Sequence, residues 1–257
     1  MTNPLAPGSL AGRGQVADGV GTDAARRTGH DGDAAGASVV VNYRSKAPRA
    51  EKVVAEIVAA GGTAIAVGAD LTDASSVAAM FERAASELGR IDILVLNASG
   101  GMESGMGEDY AMRLNRDAQV NVVEGALPHL AEGARIVFVT SHQAHFIRTT
   151  PTMPEYEPVA LSKRAGEDAL RAKLPEFEAS GIDFVVVSGD MIEGTITATL
   201  LERANPGAID ARKQDAGRLY NVAEFAAEVA AAAVDPVPAD HTRYVGDVSG
   251  FSPESLD

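Results

Sequence analysis

No cysteine occurs in the 257 residues, which excludes disulfides and thiolate-bound metal centres. Long apolar runs are missing too: nothing approaches the length of a membrane-crossing helix, and the first ten residues lack the basic start and apolar stretch of a secretion signal. Positive charge is scarce. Lys and Arg number 22 against 36 Asp and Glu, and the net charge of −14 argues against nucleic acid or an anionic membrane as partner, because both repel an acidic surface. What remains is a chain 46% hydrophobic and 23% charged, suited to one soluble α/β domain with a core on both faces of a sheet. The cytoplasm is its simplest residence, and an anionic ligand would need local positive potential on it.

From Ala37 onward the pattern alternates. Ser38-Val39-Val40-Val41-Asn42-Tyr43 is a β-branched run of the buried parallel type. Helical spacing follows over 50–60 and stops at Gly61-Gly62. Strands are expected at 63–67, 91–96, 135–140, 182–187 and near 243–245, with helices at 75–88, 112–130, 158–180 and 223–234. Strand–helix alternation at crossover length predicts a Rossmann-like, doubly wound parallel sheet in a single domain. Loops at 97–108, 141–157 and 188–217 leave the carboxyl ends of strands, where such sheets bind ligands.

The first 35 residues break this pattern. A dinucleotide-binding domain opens with an apolar strand, a glycine-rich turn and a helix. Here Gly14 to Ala35 holds no β-branched run, and Gly19-Val20-Gly21 follows no recognisable strand. The segment therefore reads as irregular, although its length matches the missing strand, turn and helix. A shifted reading frame and a naturally degenerate segment both account for it.

Several short motifs follow in order. Asn42-Tyr43-Arg44-Ser45-Lys46 comes after the second strand; an Arg in that place accommodates a ribose 2′-phosphate, whereas an acid would bond the 2′-hydroxyl, so the cluster favours NADP(H) over NAD(H). As a plain surface feature it is a solvated basic loop. Asp70-Leu71 follows the next strand, with Asp73 placed to cap the helix after it. Asn97-Ala98-Ser99-Gly100, Asn115 thirteen residues before Pro128, Ser141 at a strand end, Ala160-Leu161-Ser162-Lys163 and Ser188-Gly189-Asp190-Met191-Ile192 complete the series.

In order and spacing these motifs resemble the short-chain dehydrogenase/reductase family, over roughly residues 36 to 200. The resemblance implies cofactor contacts from Asn42, Arg44, Ser45, Asp70, Leu71, Asn97, Ser188, Gly189 and Thr195. It implies a carbonyl-orienting Ser141, a Lys163 that holds the nicotinamide ribose and lowers the pKa of a neighbouring phenol, and an Asn115 that supports Lys163 through water. A homodimer or homotetramer through the helices at 112–130 and 158–180 is implied as well.

One member of the family's site is not where the resemblance puts it. The proton donor is normally a Tyr four residues before the Lys, and position 159 is Val. Tyr156, seven residues before Lys163, is the nearby phenol. Pro158 is expected to push Glu157 out of helical geometry and leave Tyr156 on a loop, either folded back as the acid or standing as a surface or lid residue. His142 and His145 share that loop and are expected at the substrate or in solvent, with His as a substitute proton donor; no third metal ligand accompanies them. Two functions follow: an NADP(H)-dependent ketoreductase acting on an uncharged small molecule, or a dinucleotide-binding protein without that activity.

Overall fold

The computed structural model describes residues 14–18, 37–102, 107 and 109–251. Nine strands are present among them: β1 (Gly14–Asp18), β2 (Ser38–Tyr43), β3 (Thr63–Gly68), β4 (Ile91–Leu96), β5 (Leu130–Ser141), β6 (Asp183–Gly189), β7 (Ile192–Glu193), β8 (Tyr220–Asn221) and β9 (Thr242–Val245). Seven form one sheet in the order β3-β2-β1-β4-β5-β6-β9, every neighbouring pair parallel, and β7 pairs with β8 apart from it. The order reverses between β1 and β4, the switch point at which open α/β sheets bind ligands. This is the expected single-domain Rossmann-like sheet.

The helices are α1 (Ala47–Ala59), α2 (Ala74–Leu88), α3 over 110–126, α4 (His142–His145), α5 (Glu157–Arg171), α6 (Leu174–Ala179), α7 (Ile196–Ala204), α8 (Ala208–Ala216) and α9 (Val222–Ala232). Successive strand side chains point to opposite faces, and both faces are covered. Val40, Leu94, Leu96, Ile136, Phe138 and Phe184 pack against Val77, Phe81 and Val122 of α2 and α3. Their neighbours Ile93, Val95, Val137, Val185 and Val187 face Phe225 and Val229 of α9, and Val39 and Val41 face Val53 and Ile57 of α1. Each of these strands reads as a continuous apolar run because neither face meets water.

The expectation of an irregular segment over the first 35 residues is corrected in part. β1 lies between β2 and β4, with Val16 opposite Val40 on one side and Leu94 on the other. With one β-branched residue, Gly14-Gln15-Val16-Ala17-Asp18 has little strand propensity of its own; ladders on both sides outweigh that. A strand thus does precede Gly19-Val20-Gly21, which itself lies outside the described residues. Asp73 caps α2 as expected, its carboxylate accepting from Ser75 N at 2.9 Å.

Two long helices expected from periodicity are interrupted. α3 consists of Tyr110–Met112, a π-helical turn Arg113–Asp117 and Ala118–Ala126, and a 3₁₀ turn at Leu127–His129 containing Pro128 ends it. The helix expected over 158–180 breaks between α5 and α6, where Pro175 offers no N–H and its ring crowds the carbonyl of Arg171. Helices α7 and α8 lie in what reads as a loop. No helix among the described residues is long and apolar enough to cross a membrane.

Candidate active site

Ser141 is the last residue of β5 and the first cap of α4, and Tyr156 caps α5. Their side chains meet: Ser141 Oγ and Tyr156 Oη are 3.1 Å apart. The expectation that Pro158 expels Glu157 from the helix is overturned. Pro158 sits in the first turn, where its missing N–H has no partner to lose. Tyr156 N donates to Met153 O at 2.9 Å and Tyr156 O accepts from Ala160 N at 2.9 Å, so Tyr156 stands in the turn that leads into the helix, and its buried phenol is not a surface residue.

Tyr156 is buried in an apolar cluster with Ala144, Val159, Ala160 and Met191. Burial pushes its pKa up, against the smaller pull of the Ser141 hydrogen bond, so the phenol keeps its proton at neutral pH. Lys163, two turns along α5, is half-buried, and desolvation lowers its pKa to about 8. The expected lowering of the phenol by Lys163 is not what governs this arrangement: burial dominates both groups. Seven residues along a helix separate them by roughly 10 Å of rise, against about 6 Å for four.

Asn115 sits in the π-helical turn of α3 and is buried. Its amide donates to Gly100 O at 2.8 Å and Ser162 Oγ at 2.8 Å, while its Oδ1 accepts from Gly100 N at 3.1 Å. It therefore joins the loop after β4 to α5 one residue before Lys163. The backbone carbonyl of Asn115 lies against α5 so closely that a Cβ at Gly166 would fall 2.1 Å from its oxygen. Only glycine permits that approach. Gln119, not singled out from sequence, donates to Ala98 O at 2.9 Å and Leu114 O at 3.1 Å and ties the same loop to the same turn. An isolated Gln carries no sequence signal for such a role.

The candidate cofactor residues line the carboxyl edge of the sheet, with unequal freedom. Arg44 and Ser45 are exposed; Arg44 donates one bond to Tyr110 Oη at 3.1 Å, and a guanidinium has five N–H groups. Asp70 accepts from Thr72 N and Oγ1, which hold its carboxylate below its ordinary pKa. Asn97 follows β4, partly exposed. Other side chains are committed elsewhere. The Asn42 amide points into the core, donating to Val67 O at 3.2 Å and Met80 Sδ at 3.2 Å. Leu71 belongs to the core. Ser188 Oγ is 2.8 Å from His142 Nδ1. Thr195 caps α7, donating to Ile192 O and accepting from Ala198 N. Gly189 presses on Phe225, where a Cβ would come within 2.4 Å of the ring.

The histidine expectations are corrected. His142 is fully buried among Phe146, Tyr244 and Phe251, and desolvation lowers its pKa to about 4, which keeps it neutral and away from solvent. His145 Nδ1 lies 2.9 Å from a carboxylate oxygen of the fully buried Glu167, which Arg171 also bonds. His142 ties α4 to β6 and β9, and His145 ties it to α5 and β9. At the carboxyl edge, Arg44, Ser45 and Lys46 after β2 are exposed, and Lys163 lies two turns along α5 from Tyr156.

The sequence model of the short chain dehydrogenase family matches residues 16–205. The chain belongs to that family. It is 30% identical over 226 residues to the short chain dehydrogenase claC of Passalora fulva, covering 86% of this chain and 82% of that one. It is 34% identical over 172 residues to the hydroxynaphthalene reductase-like protein Arp2 of Metarhizium majus, covering 65% and 63%. The chain spans less than two thirds of the length of several curated relatives it matches. Among solved structures, a short chain dehydrogenase from Burkholderia cenocepacia in complex with NADP superposes with a TM-score of 0.78 at 27% identity, covering 95% of this chain and all of that one.

Proposed function

We propose that this protein is an NADP(H)-dependent reductase of carbonyl groups on an uncharged organic substrate. The observation that carries the reading is the 3.1 Å contact between Ser141 Oγ and Tyr156 Oη on the helix that bears Lys163. Ser141 orients the carbonyl by hydrogen bonding to its oxygen. Tyr156, kept protonated by burial, donates the proton to that oxygen. Lys163 would hold the nicotinamide ribose, and Asn115 fixes the loop after β4 through its bonds to Gly100. Arg44 and Ser45 would take the 2′-phosphate, and Asp70 and Asn97 would hold the adenosine part. When bound, the nicotinamide supplies the hydride. Val159, Met191 and Leu219, with the partly buried Met102 and Met153, share the apolar cluster of the phenol, which favours a substrate with an apolar body. The relatives named as dehydrogenase and reductase, and the neighbour solved with NADP, support the same class of chemistry.

The test is a fluorescence titration with NADPH and NADH followed by a screen of uncharged ketones. Tighter NADPH binding and turnover of at least one ketone are expected. Equal or tighter NADH binding would overturn the cofactor assignment, and NADPH binding without turnover would overturn the activity.

A further inference from the structure

Helix α8 has an unusual basis for its position. None of its nine residues is buried, and only the partly buried Ile209 and Ala216 reach the apolar cluster around Tyr156. A nine-residue helix is marginal in water without tertiary support, so something other than apolar packing must hold it. Arg212, in its middle, grips Asp190, the residue that follows β6 and is 4% exposed. Arg212 Nε donates to both carboxylate oxygens at 3.0 Å, and Nη2 donates to Oδ2 at 2.8 Å. Nη2 also donates to Asp247 O at 3.1 Å, and the guanidinium stacks 5.1 Å from the Phe251 ring centre. Phe251 packs in turn on Phe146 and His142, just after Ser141. A second ion pair, Lys213 with Glu193, lies at the exposed rim of the same helix.

We propose that the Asp190–Arg212 pair is an ionic latch that holds the α7–α8 segment over the Ser141–Tyr156 pair, which makes Arg212 a positioning residue for substrate binding. Leu201 of α7 and Leu219 beyond α8 sit in the same cluster as Tyr156, and Asn205 between the helices donates to Glu155 Oε2 at 3.0 Å. Releasing Arg212 frees the cover at its weakest-packed helix, while the Ser141 Oγ–Tyr156 Oη contact involves no residue of that cover. The inference rests on the proposed reductase activity for its kinetic consequence but not for its structural one.

Two measurements separate these. Hydrogen exchange of the full-length protein is compared among wild type, Arg212→Met, and Arg212→Met combined with Asp190→Asn, which removes both charges and so avoids a lone buried carboxylate. Exchange over 191–219 is expected to accelerate about tenfold or more in both variants while β4 to β6 keep their protection. Unchanged exchange over 191–219, or protection lost equally across the sheet, overturns the latch. On a turned-over ketone, KM is expected to rise about tenfold with kcat within about twofold, a loss of roughly 1.4 kcal/mol in binding. Arg212→Lys, with charge but no fork, should fall between. A fall in kcat at constant KM overturns the positioning role. Should wild type turn over no ketone, the reductase reading fails and hydrogen exchange still decides the latch.

Discussion

The two sides of the sheet's carboxyl edge are built differently. After β2 and β3, polar groups stand near water: Arg44 and Ser45 are exposed, and Asp70 is held by its neighbour Thr72. After β5 and β6, they are buried and interlocked: Tyr156 with Ser141, His142 with Ser188, Asp190 with Arg212. An exposed group is free to meet a ligand, so its chemical type points to its role. A buried group acts through the partner the fold gives it, and the same residue type serves catalysis in one place and packing in the next. Ser141 and His142 are adjacent in sequence, yet one meets the Tyr156 phenol and the other an aromatic core.

The largest effect should come from Tyr156→Phe. Removing one oxygen from the buried side is expected to lower kcat about 10²- to 10⁴-fold with cofactor affinity unchanged, measured by steady-state kinetics and NADPH titration. Retained kcat would return Tyr156 to the apolar packing around it.

His142→Phe is the next in size and reads stability alone. The imidazole pKa falls from 6.5 in the unfolded chain to about 4 in the fold, so the unfolded chain takes up the proton first as pH drops. The contribution is complete above pH 6.5 and is lost progressively between 6.5 and 4, for a total of roughly 3 kcal/mol. Denaturant unfolding between pH 7 and 4.5 should show a shallower loss of stability in the variant than in wild type. Identical slopes would place His142 in contact with water.

Arg44→Ala probes the exposed side and should have the smallest effect. NADPH affinity is expected to weaken about tenfold, near 1.4 kcal/mol, with NADH affinity and kcat little changed. An equal loss for both dinucleotides would separate Arg44 from the phosphate.

The same contrast explains what was legible in the sequence. β4 to β6 announce themselves because Ile93 and Leu94, or Val137 and Phe138, are apolar on both faces. β1 does not, because only its pairing with β2 and β4 makes Gly14–Asp18 a strand. Pro175 carried a readable signal for the break after α5, masked by continuous helical spacing. In the candidate site, Ser141, Lys163 and Asn115 were singled out from order along the chain. The amide of Asn42 and the hydroxyls of Ser188 and Thr195 were not readable as packing and capping groups, since their partners Val67, His142 and Ala198 come from the fold. The latch between Asp190 and Arg212 joins residues 22 positions apart with no periodic signature.

In the proposed reaction Ser141 and Tyr156 act on the carbonyl oxygen as one centre. A double-mutant cycle with Ser141→Ala and Tyr156→Phe, read by single-turnover hydride transfer from saturating NADPH, tests it most directly. If they do, the double variant is barely slower than the slower single variant. Losses that multiply, with the double variant slowed by the product of the two singles, would contradict it.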